Sequence, residues 1–438
     1  MDLPRINLET ILELAAARGA REAELLHACH AGFSVTVQGG EVRDRGAHMG
    51  DILTVRTYGE DGRVGVATGP AAMPEALVDV ALSASERAEP MEHAGVIGRL
   101  PRHSGGLGVL DRRYAQLDEE SRVAVALDDE RGARMNDGRV QTEPFTYRDA
   151  LEKRAYANSR GISYEELGTR YWLTGAIRYL GSELALEGEF TSRVFSGVCS
   201  IPLGAQLARR AARLAEAEVG EVDADLVYLT PAVTCRLFAQ LAPGFSIPNR
   251  AVDQVEVPAL RMAPPLDPRI HLLDDGALPG AWNTRSFDDR GVPPVPLTLV
   301  KDGRVDRSYL SIVEARRDGT RPTGHARGEG IVPGNVVVRS GTRSVAAILS
   351  ELGRAAFDVE HVAGDVALDL RTGELDLPVY GSIRTSKTSG PPLRGLRLRG
   401  NFIEALGRVI DVTGETDRWR HVDAPGILVE GLRLEREG

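Results

Sequence analysis

Three closely spaced side chains near the amino terminus are of the kinds that bind transition metals: His27, Cys29 and His30. Imidazole nitrogens and thiolate sulfurs are the usual ligands of zinc, which needs three or four of them around one point. The surrounding residues favour a β-strand, and the side chains of a strand alternate between its two faces. His27 and Cys29 therefore share one face while His30 lies on the other. Because the three cannot converge on one ion, we interpret them as structural residues.

A second pattern, Lys-Thr-Ser-Gly at residues 387–390, is similar to the Lys-Thr-Gly element of serine acyl-transferases. Those enzymes also need a Ser-x-x-Lys motif. This sequence has none, because the residues three positions before its lysines are Ala150, Thr298 and Arg384. Gly-x-Ser-x-Gly and P-loop signatures are absent as well. The pattern therefore indicates a polar loop and not the site of a nucleophile.

The segment from residue 283 to residue 328 has the character of a binding-site edge. Its Asp-Asp-Arg-Gly run at 288–291 predicts a turn, because Asp bonds its own backbone and Gly tolerates positive φ. Asp302-Gly303 predicts a hairpin between two strands, and Ser311 is placed to cap a short helix. A polar loop at 318–328 completes the unit. Loops held by rigid elements in this way often carry binding residues.

This segment resembles part of the TldD/TldE (PmbA) family, once called modulators of DNA gyrase. The family pattern begins with Thr-x-x-Phe-Asp-x-x-Gly-Val, which falls within residues 283–292, where Thr284 follows Asn283 and Phe287, Asp288, Gly291 and Val292 match. A Gly-centred hairpin follows at 301–303, and a Thr-Gly-His-Ala-x-Gly loop at 323–328. Further similarities lie at 156–161 and 400–410. In order and spacing, the resemblance covers nearly the whole chain.

The zinc motif of the catalytic TldD-type members has no counterpart in this sequence. Those members carry a His-Glu-x-x-x-His helix that binds zinc, with the Glu as general base, and a Cys near the carboxyl terminus. The helix falls at residues 235–244, which contain neither His nor Glu, and the Cys position falls near Ala424. The resemblance therefore implies a TldE/PmbA-type subunit with no catalytic residue, metal ligand or cofactor of its own. Zinc is expected only in a TldD-type partner.

The resemblance singles out three residues of the Thr-Gly-His-Ala-x-Gly loop: Gly324, His325 and Arg327. We expect them to bind the peptide or to form a subunit interface. For His325 the alternative is a structural role, in which the ring bonds backbone carbonyls and shapes the turn. Arg327 could pair with a carboxylate of the substrate, although this position is often small in the family.

Composition excludes several classes of function. A basic surplus is expected of nucleic-acid-binding proteins, whereas this chain has a net charge of −10. Its 3 cysteines are odd in number and far apart, so no disulfide framework is indicated. The sequence shows no secretion signal and no run of about 18 apolar residues. We therefore expect a cytoplasmic protein that binds neither nucleic acid nor membranes.

The mixture of strand and helix patterns, without strict alternation, predicts an α+β fold. With 438 residues, the chain should contain two or three domains. Residues 1–218 are expected to form an N-terminal α/β domain. Residues 225–438 are expected to form a C-terminal β-rich domain, and both domains should be of the TldD/PmbA type.

Two local predictions concern where elements begin and end. In the first half, residues 23–30 and 33–38 are expected to form two strands joined by a turn at Ala31-Gly32, since Gly commonly marks turns. In the second half, residues 344–357 are expected to form one of the few helices.

The favoured function is that of a non-catalytic subunit of a heterodimeric zinc metallopeptidase. Its TldD-type partner would cleave peptides during maturation or degradation, including natural-product biosynthesis, while this chain would complete the peptide groove. The peptide is expected to enter as an added β-strand. Two alternatives stay open: a stand-alone, divergent enzyme of the family in a biosynthetic pathway, and a regulatory binding module. Without its partner the chain could also form a homodimer.

Overall fold

Two β-sheets and the helices packed on them account for most of the chain. The computed structural model describes residues 3–101, 106–182, 184–246 and 265–437. The strands of the first sheet come from the first half of the chain and those of the second sheet from the second half. The α+β class expected from the sequence is confirmed. The domain ranges 1–218 and 225–438 stay predictions.

The first sheet is built from long antiparallel strands. Within the described residues it has six: β1 (Glu22–Gln38), β2 (Glu41–Tyr58), β3 (Val64–Pro70), β4 (Val140–Asn158), β5 (Ser163–Tyr179) and β6 (Ala185–Ser192). Their order across the sheet is β3-β2-β1-β4-β5-β6. The register between β1 and β2 pairs Cys29 with Asp51 and His30 with Gly50. Paired residues of neighbouring strands point to the same face, so the register decides which side chains meet.

The helices of the first half all lie on one face of this sheet. They are α1 (Leu8–Ala17), α2 (Pro74–Arg87), α3 (Glu119–Asn136), α4 (Phe195–Cys199) and α5 (Leu203–Ala215). Odd-numbered residues of β1 face them: Leu25 packs into the core formed with α1 and α2, and Val35 into the core formed with α3 and α5. Because side chains alternate along a strand, Glu24, Leu26 and His30 point to the opposite face.

The expected turn at Ala31-Gly32 is wrong, because β1 runs through it without interruption. A Cβ atom on Gly32 would lie 2.0 Å from the carbonyl oxygen of Asp149 on β4. Gly is therefore required here by the close approach of a neighbouring strand, which is the other common reason for Gly inside a strand. The chain turns at Gly39-Gly40, where both residues have positive φ and both N–H groups donate to the Glu130 carboxylate.

The second sheet is larger and mixed in direction. Within the described residues it has twelve strands: β7 (Glu218–Val219), β8 (Leu226–Leu229), β9 (Leu272–Asp274), β10 (Leu297–Lys301), β11 (Arg304–Val305), β14 (Val336–Val338), β15 (Ala356–Val362), β16 (Glu374–Arg384), β17 (Leu393–Asn401), β18 (Val409–Trp419), β19 (Val422–Glu430) and β20 (Arg433–Arg436). Their order across the sheet is β11-β10-β9-β14-β19-β8-β15-β16-β17-β20, with β18 beside β19 and β7 beside β17. The pairs β8–β15 and β14–β19 are parallel. A separate ribbon pairs β12 (Ala326–Arg327) with β13 (Gly330–Ile331).

The helices of the second half are α6 (Pro231–Leu241), α7 (Ile312–Arg317), α8 (Val345–Leu352) and α9 (Phe402–Leu406). Ser311 caps α7 as expected, in a capping box with Glu314. The helix expected at 344–357 is shorter than predicted, because Gly353 adopts the left-handed conformation that ends helices. No helix in the described parts of the chain combines the length and apolar character needed to cross a membrane.

The close approach at Gly32 predicts a large difference between two Gly→Ala variants of the first sheet. Gly32→Ala should lower the free energy of unfolding by about 1–3 kcal/mol, because its Cβ would overlap the Asp149 carbonyl. Gly46→Ala on β2 is the matched control, since no atom lies within 4 Å of its added Cβ. It should change stability by less than about 1 kcal/mol. Urea unfolding of both variants measures the difference, and equal stabilities would contradict the packing described.

Candidate functional site

A cleft of about 280 Å³ lies between the first sheet and residues 283–328, which we call the docking segment. Its floor is the sheet face opposite the helices, where Leu26, Ala28 and His30 of β1 meet residues of β2, β4 and β5. Charged side chains form its walls: Glu152, Lys153, Arg154, Glu166, Arg170, Arg193, Arg285, Asp289 and Arg327. The lining is therefore positive overall, although the chain has a net charge of −10.

Glu24 is the centre of a buried network that joins the first sheet to the docking segment. It is 2% exposed. One carboxylate oxygen accepts hydrogen bonds from Arg56 at 3.0 Å and from the Tyr58 hydroxyl at 2.9 Å, and the other accepts one from the Tyr156 hydroxyl at 2.8 Å. Arg290, from the docking segment, donates to both Glu24 and Tyr58. The Glu24 carboxylate of the first sheet thus binds the Arg290 guanidinium from the second half of the chain.

The charge on Glu24 is maintained by these partners. Burial alone would raise the pKa of its carboxyl, but the charges of Arg290 and Arg56 and the Tyr156 hydrogen bond outweigh burial and leave the pKa below its ordinary value. A buried charge that loses its partner costs about 3–5 kcal/mol. The network therefore ties the position of the docking segment to the presence of this one carboxylate.

Two adjacent aspartates give the docking segment its shape. Asp288 accepts hydrogen bonds from the backbone N–H groups of Arg290, Val292 and Ala326, each at 2.9 Å. Asp289 pairs with Arg154 of β4 and accepts the Gly328 N–H at 2.8 Å. The turn predicted at residues 288–291 is confirmed, and Gly291 has the expected positive φ. The same aspartates connect the turn to the loop that carries Arg327.

Gly324 and His325 lie in the interior of the second half, away from the cleft lining. A Cβ atom on Gly324 would meet the Pro294 backbone at 2.5 Å, and the residue has positive φ. The His325 ring packs on Tyr309 with 4.7 Å between ring centroids, and its Nε2 lies 3.4 Å from a carboxylate oxygen of Asp274. His325 is 1% exposed. These contacts shape the loop. The expected contact of Gly324 and His325 with a peptide or a partner subunit stays a prediction.

Arg327 is the one predicted site residue of the three that lines the cleft. It is exposed, and its guanidinium makes no hydrogen bond or ion pair with any residue that the structure describes. Loss of water around the group lowers its pKa; nearby Asp289 opposes this change, and Arg170 adds to it. Arg327 is therefore a cation whose surroundings within the described chain do not neutralise it.

Two buried arginines line the same cleft as Arg327. Arg193 donates to the Thr169 and Thr284 carbonyls at 3.2 and 3.0 Å, and burial, followed by repulsion from Arg170, lowers its pKa to about 9. Arg285 donates to two carbonyl oxygens at 3.2 Å, and burial lowers its pKa as well. The Nε atoms of both have no partner among the described residues. Sequence analysis missed this pair, since no motif links residues that meet only through packing.

The position expected for a catalytic zinc site is an apolar core. Cys235 of α6 lies against the main chain of Ala424, so the two positions assigned from the resemblance do meet in space. The Cys235 thiol donates to the Asp417 carbonyl at 3.1 Å, and burial raises its pKa to about 12. Zinc binds the thiolate and needs further donors. The neighbouring helix residues Val233, Leu237 and Phe238 are apolar, so this donor set does not fit zinc.

His27 and Cys29 share a face of β1, and β2 adds Asp51 beside them. Their potential ligand atoms lie within 4.8 Å of one another. Sequence analysis missed Asp51, because the register of the hairpin brings it there. His27 Nε2 lies 2.6 Å from the Asp51 carboxylate, a hydrogen bond that satisfies both groups. Burial and Asp51 raise the pKa of the Cys29 thiol, which disfavours the thiolate. We retain the structural interpretation; His30 faces the cleft instead.

Two comparisons show which known proteins this chain is similar to. A model of the PmbA/TldA metallopeptidase C-terminal domain matches residues 264–436. Metalloprotease PmbA of Escherichia coli O157:H7 is 23% identical over 453 residues, which cover 98% of this chain and 95% of the relative. The resemblance to the TldD/TldE (PmbA) family expected from the sequence is confirmed.

Two solved structures share the fold of the present chain over nearly its full length. A protein assigned as a modulator of a DNA gyrase, from Thermotoga maritima MSB8, has a TM-score of 0.82 at 19% identity and covers 98% of this chain and 99% of its own. TldE from Thermococcus kodakarensis has a TM-score of 0.80 at 16% identity, with coverage of 98% and 99%. At such identities the likeness establishes the fold and leaves the activity to the residues of the site.

The Glu24 network predicts an unusually costly substitution. Glu24→Gln should lower the free energy of unfolding by about 3–5 kcal/mol, because Arg56 and Arg290 would keep buried charges without a counterion. Glu143→Gln removes a carboxylate from an exposed pair with Arg178 on the same sheet and should cost at most about 1 kcal/mol. Urea unfolding at neutral pH compares the two variants.

The same network predicts a pH dependence. Since the folded-state pKa of Glu24 is lowered, its contribution to stability is present above the unfolded-state pKa and is lost as the pH falls through the folded-state pKa. The stability difference between the native chain and Glu24→Gln should therefore shrink in acid. A difference that stays constant down to the acid transition would show that Glu24 is not held ionised by its arginines.

Proposed function

We propose that this chain is a non-catalytic TldE/PmbA-like subunit of a heterodimeric zinc metallopeptidase that acts on peptides. Hydrolysis belongs to a TldD-type subunit, and this chain shapes part of the peptide groove. The observation that carries the proposal is the chemistry at the family's metal position, where Cys235 is a buried thiol with a raised pKa among apolar side chains. Ala424 stands near the position at which the zinc-binding members carry their cysteine close to the carboxyl terminus.

The cleft supports the peptide-binding part of the proposal. Its lining combines a sheet face with cationic and carboxylate groups, which suits a polar chain better than an apolar small molecule. The ribbon of β12 and β13 contributes Ala326 and Arg327 to that lining. Extended peptides commonly bind by pairing their main chain with such exposed strands.

We place the chain in the cytoplasm. Cys29, Cys199 and Cys235 are all free thiols, and Cys199 is exposed. Reducing compartments keep exposed thiols in this state, whereas secreted proteins usually pair them.

The proposal predicts that peptide cleavage requires two different chains. The purified chain alone should not cleave an unfolded peptide. Addition of a family member that carries the His-Glu-x-x-x-His helix should produce cleavage that a chelator abolishes, because the partner supplies the metal-bound nucleophile. Discontinuous assays with the two chains separately and mixed measure this, and a partner with Gln in place of its motif Glu is the control.

Each other outcome of this assay points to a different function. Chelator-sensitive cleavage by this chain alone would contradict the proposal and favour a stand-alone enzyme. Failure of the two chains to associate, with the partner fully active by itself, would favour a separate regulatory binding module.

A further inference from the structure

The cleft holds more positive charge than its own acidic groups can neutralise. Arg327 projects there without a hydrogen bond or ion pair among the described residues. Arg193 and Arg285 line the same cleft, are 5% and 7% exposed, and each has an Nε–H without a partner among the described residues. Buried donors are nearly always paired in folded proteins. Three guanidinium groups with spare donors at one cleft indicate a site for an acceptor that carries negative charge.

The carboxylates that line the cleft are already engaged. Glu152 accepts a hydrogen bond from Arg170 at 2.8 Å. Glu166 accepts the backbone N–H of Ser286. Asp289 binds Arg154 and the N–H of Gly328, as described above. Glu166 and Asp289 could turn toward Arg327 only by breaking a bond that holds the docking segment, and Glu152 only by breaking its bond to Arg170 within the first sheet.

Aromatic rings pack against two of the cations that line the cleft, Arg170 and Arg193. Trp282 lies under the Arg170 guanidinium, with 4.6 Å between the Arg170 Cζ and the centroid of the Trp282 ring. The Arg193 Cζ lies 5.8 Å from the same centroid. Trp172 packs edge-on against Trp282 at 5.1 Å between centroids. Guanidinium groups stacked on rings lose little further entropy when they bind an anion. The part of the cleft around Arg170 and Arg193 is thus organised before any ligand arrives.

We propose that the cleft binds a carboxylate group of the peptide, which the Arg327 guanidinium contacts directly while Arg193 and Arg285 add positive charge to the same lining. The identity of the ligand as a peptide rests on the proposed function. A planar guanidinium matches a carboxylate with two parallel hydrogen bonds, which makes this pairing stronger and more specific than a contact with a neutral amide. The carboxylate comes either from the end of the peptide chain or from an acidic side chain.

The size of the cleft favours the end of a chain. Its volume of about 280 Å³ is at the lower limit of the roughly 300–1,000 Å³ typical of ligand pockets. The terminal residue of an added strand fits such a space more readily than a strand that continues beyond the cleft. A C-terminal carboxylate would give this subunit a means to position one end of the peptide for a partner that cleaves elsewhere.

The test compares one extended peptide in three forms: with a free C-terminal carboxylate, with a C-terminal amide, and as the amide with one Asp side chain near its end. Fluorescence anisotropy gives the Kd of each amino-terminally labelled form for the full chain, alone and with its TldD-type partner inactivated at the motif Glu. The variants are Arg327→Ala, Arg327→Lys and, as the control, Arg304→Ala. Arg304 is exposed on β11 and lies outside the cleft lining.

The native chain should bind the free acid about tenfold to a hundredfold more tightly than the neutral amide, the range expected for a hydrogen bond between charged groups. Arg327→Ala should remove this preference while leaving the affinity for the amide unchanged, and Arg327→Lys should restore part of it. Arg304→Ala should behave like the native chain. If the Asp-containing amide binds as tightly as the acid, the carboxylate is that of a side chain; if it binds like the neutral amide, the terminus is the ligand.

The results that overturn the inference differ from those that overturn the proposed function. Equal affinity of the native chain for the acid and the amide would refute carboxylate recognition and leave the peptide groove intact. The same conclusion would follow if Arg327→Ala weakened both forms to the same extent. If no form bound the chain, alone or with its partner, both the peptide groove and the carboxylate site would be refuted.

Discussion

The arrangement of the site depends on one buried carboxylate. Glu24 lies at the start of β1, where water cannot solvate its charge, so the folded chain must bring cations to it. Arg56 comes from the neighbouring strand, but Arg290 comes from the docking segment, more than half the chain away. The requirement to neutralise Glu24 therefore selects one position for the segment that also carries Asp289 and Arg327. The charged cleft is a consequence of that placement.

Local chemistry explains what the sequence could predict. The turn at 288–291 and the cap at Ser311 each depend on side chains that bond backbone atoms a few residues away, so a short window contains all the information. Gly32 shows what a short window cannot predict. A glycine is found both in turns and where another strand approaches closely, and only the position of the neighbouring strand distinguishes the two. Asp51, Arg193 and Arg285 join their sites through register and packing. His325 lies in the interior because its loop folds back on Tyr309, which its motif does not reveal.

A family can divide binding and catalysis between two related chains if one of them loses the metal and keeps the scaffold. In this chain Cys235 lies against the backbone of Ala424 among apolar side chains, a set of donors that does not fit zinc. The cleft keeps an ordered set of cations in an otherwise acidic chain. Substrate positioning is the chemistry that such a set supports, since guanidinium groups bind anions well but transfer protons poorly near neutral pH.

Native mass spectrometry of this chain co-expressed with a TldD-type homologue tests the central claim most directly, because it reports association and metal content together. We expect a complex that contains both chains, with zinc retained by the homologue and absent from this chain after the two are dissociated. An assembly of this chain alone that carries one zinc ion per subunit, lost on substitution of Cys235, would contradict the account.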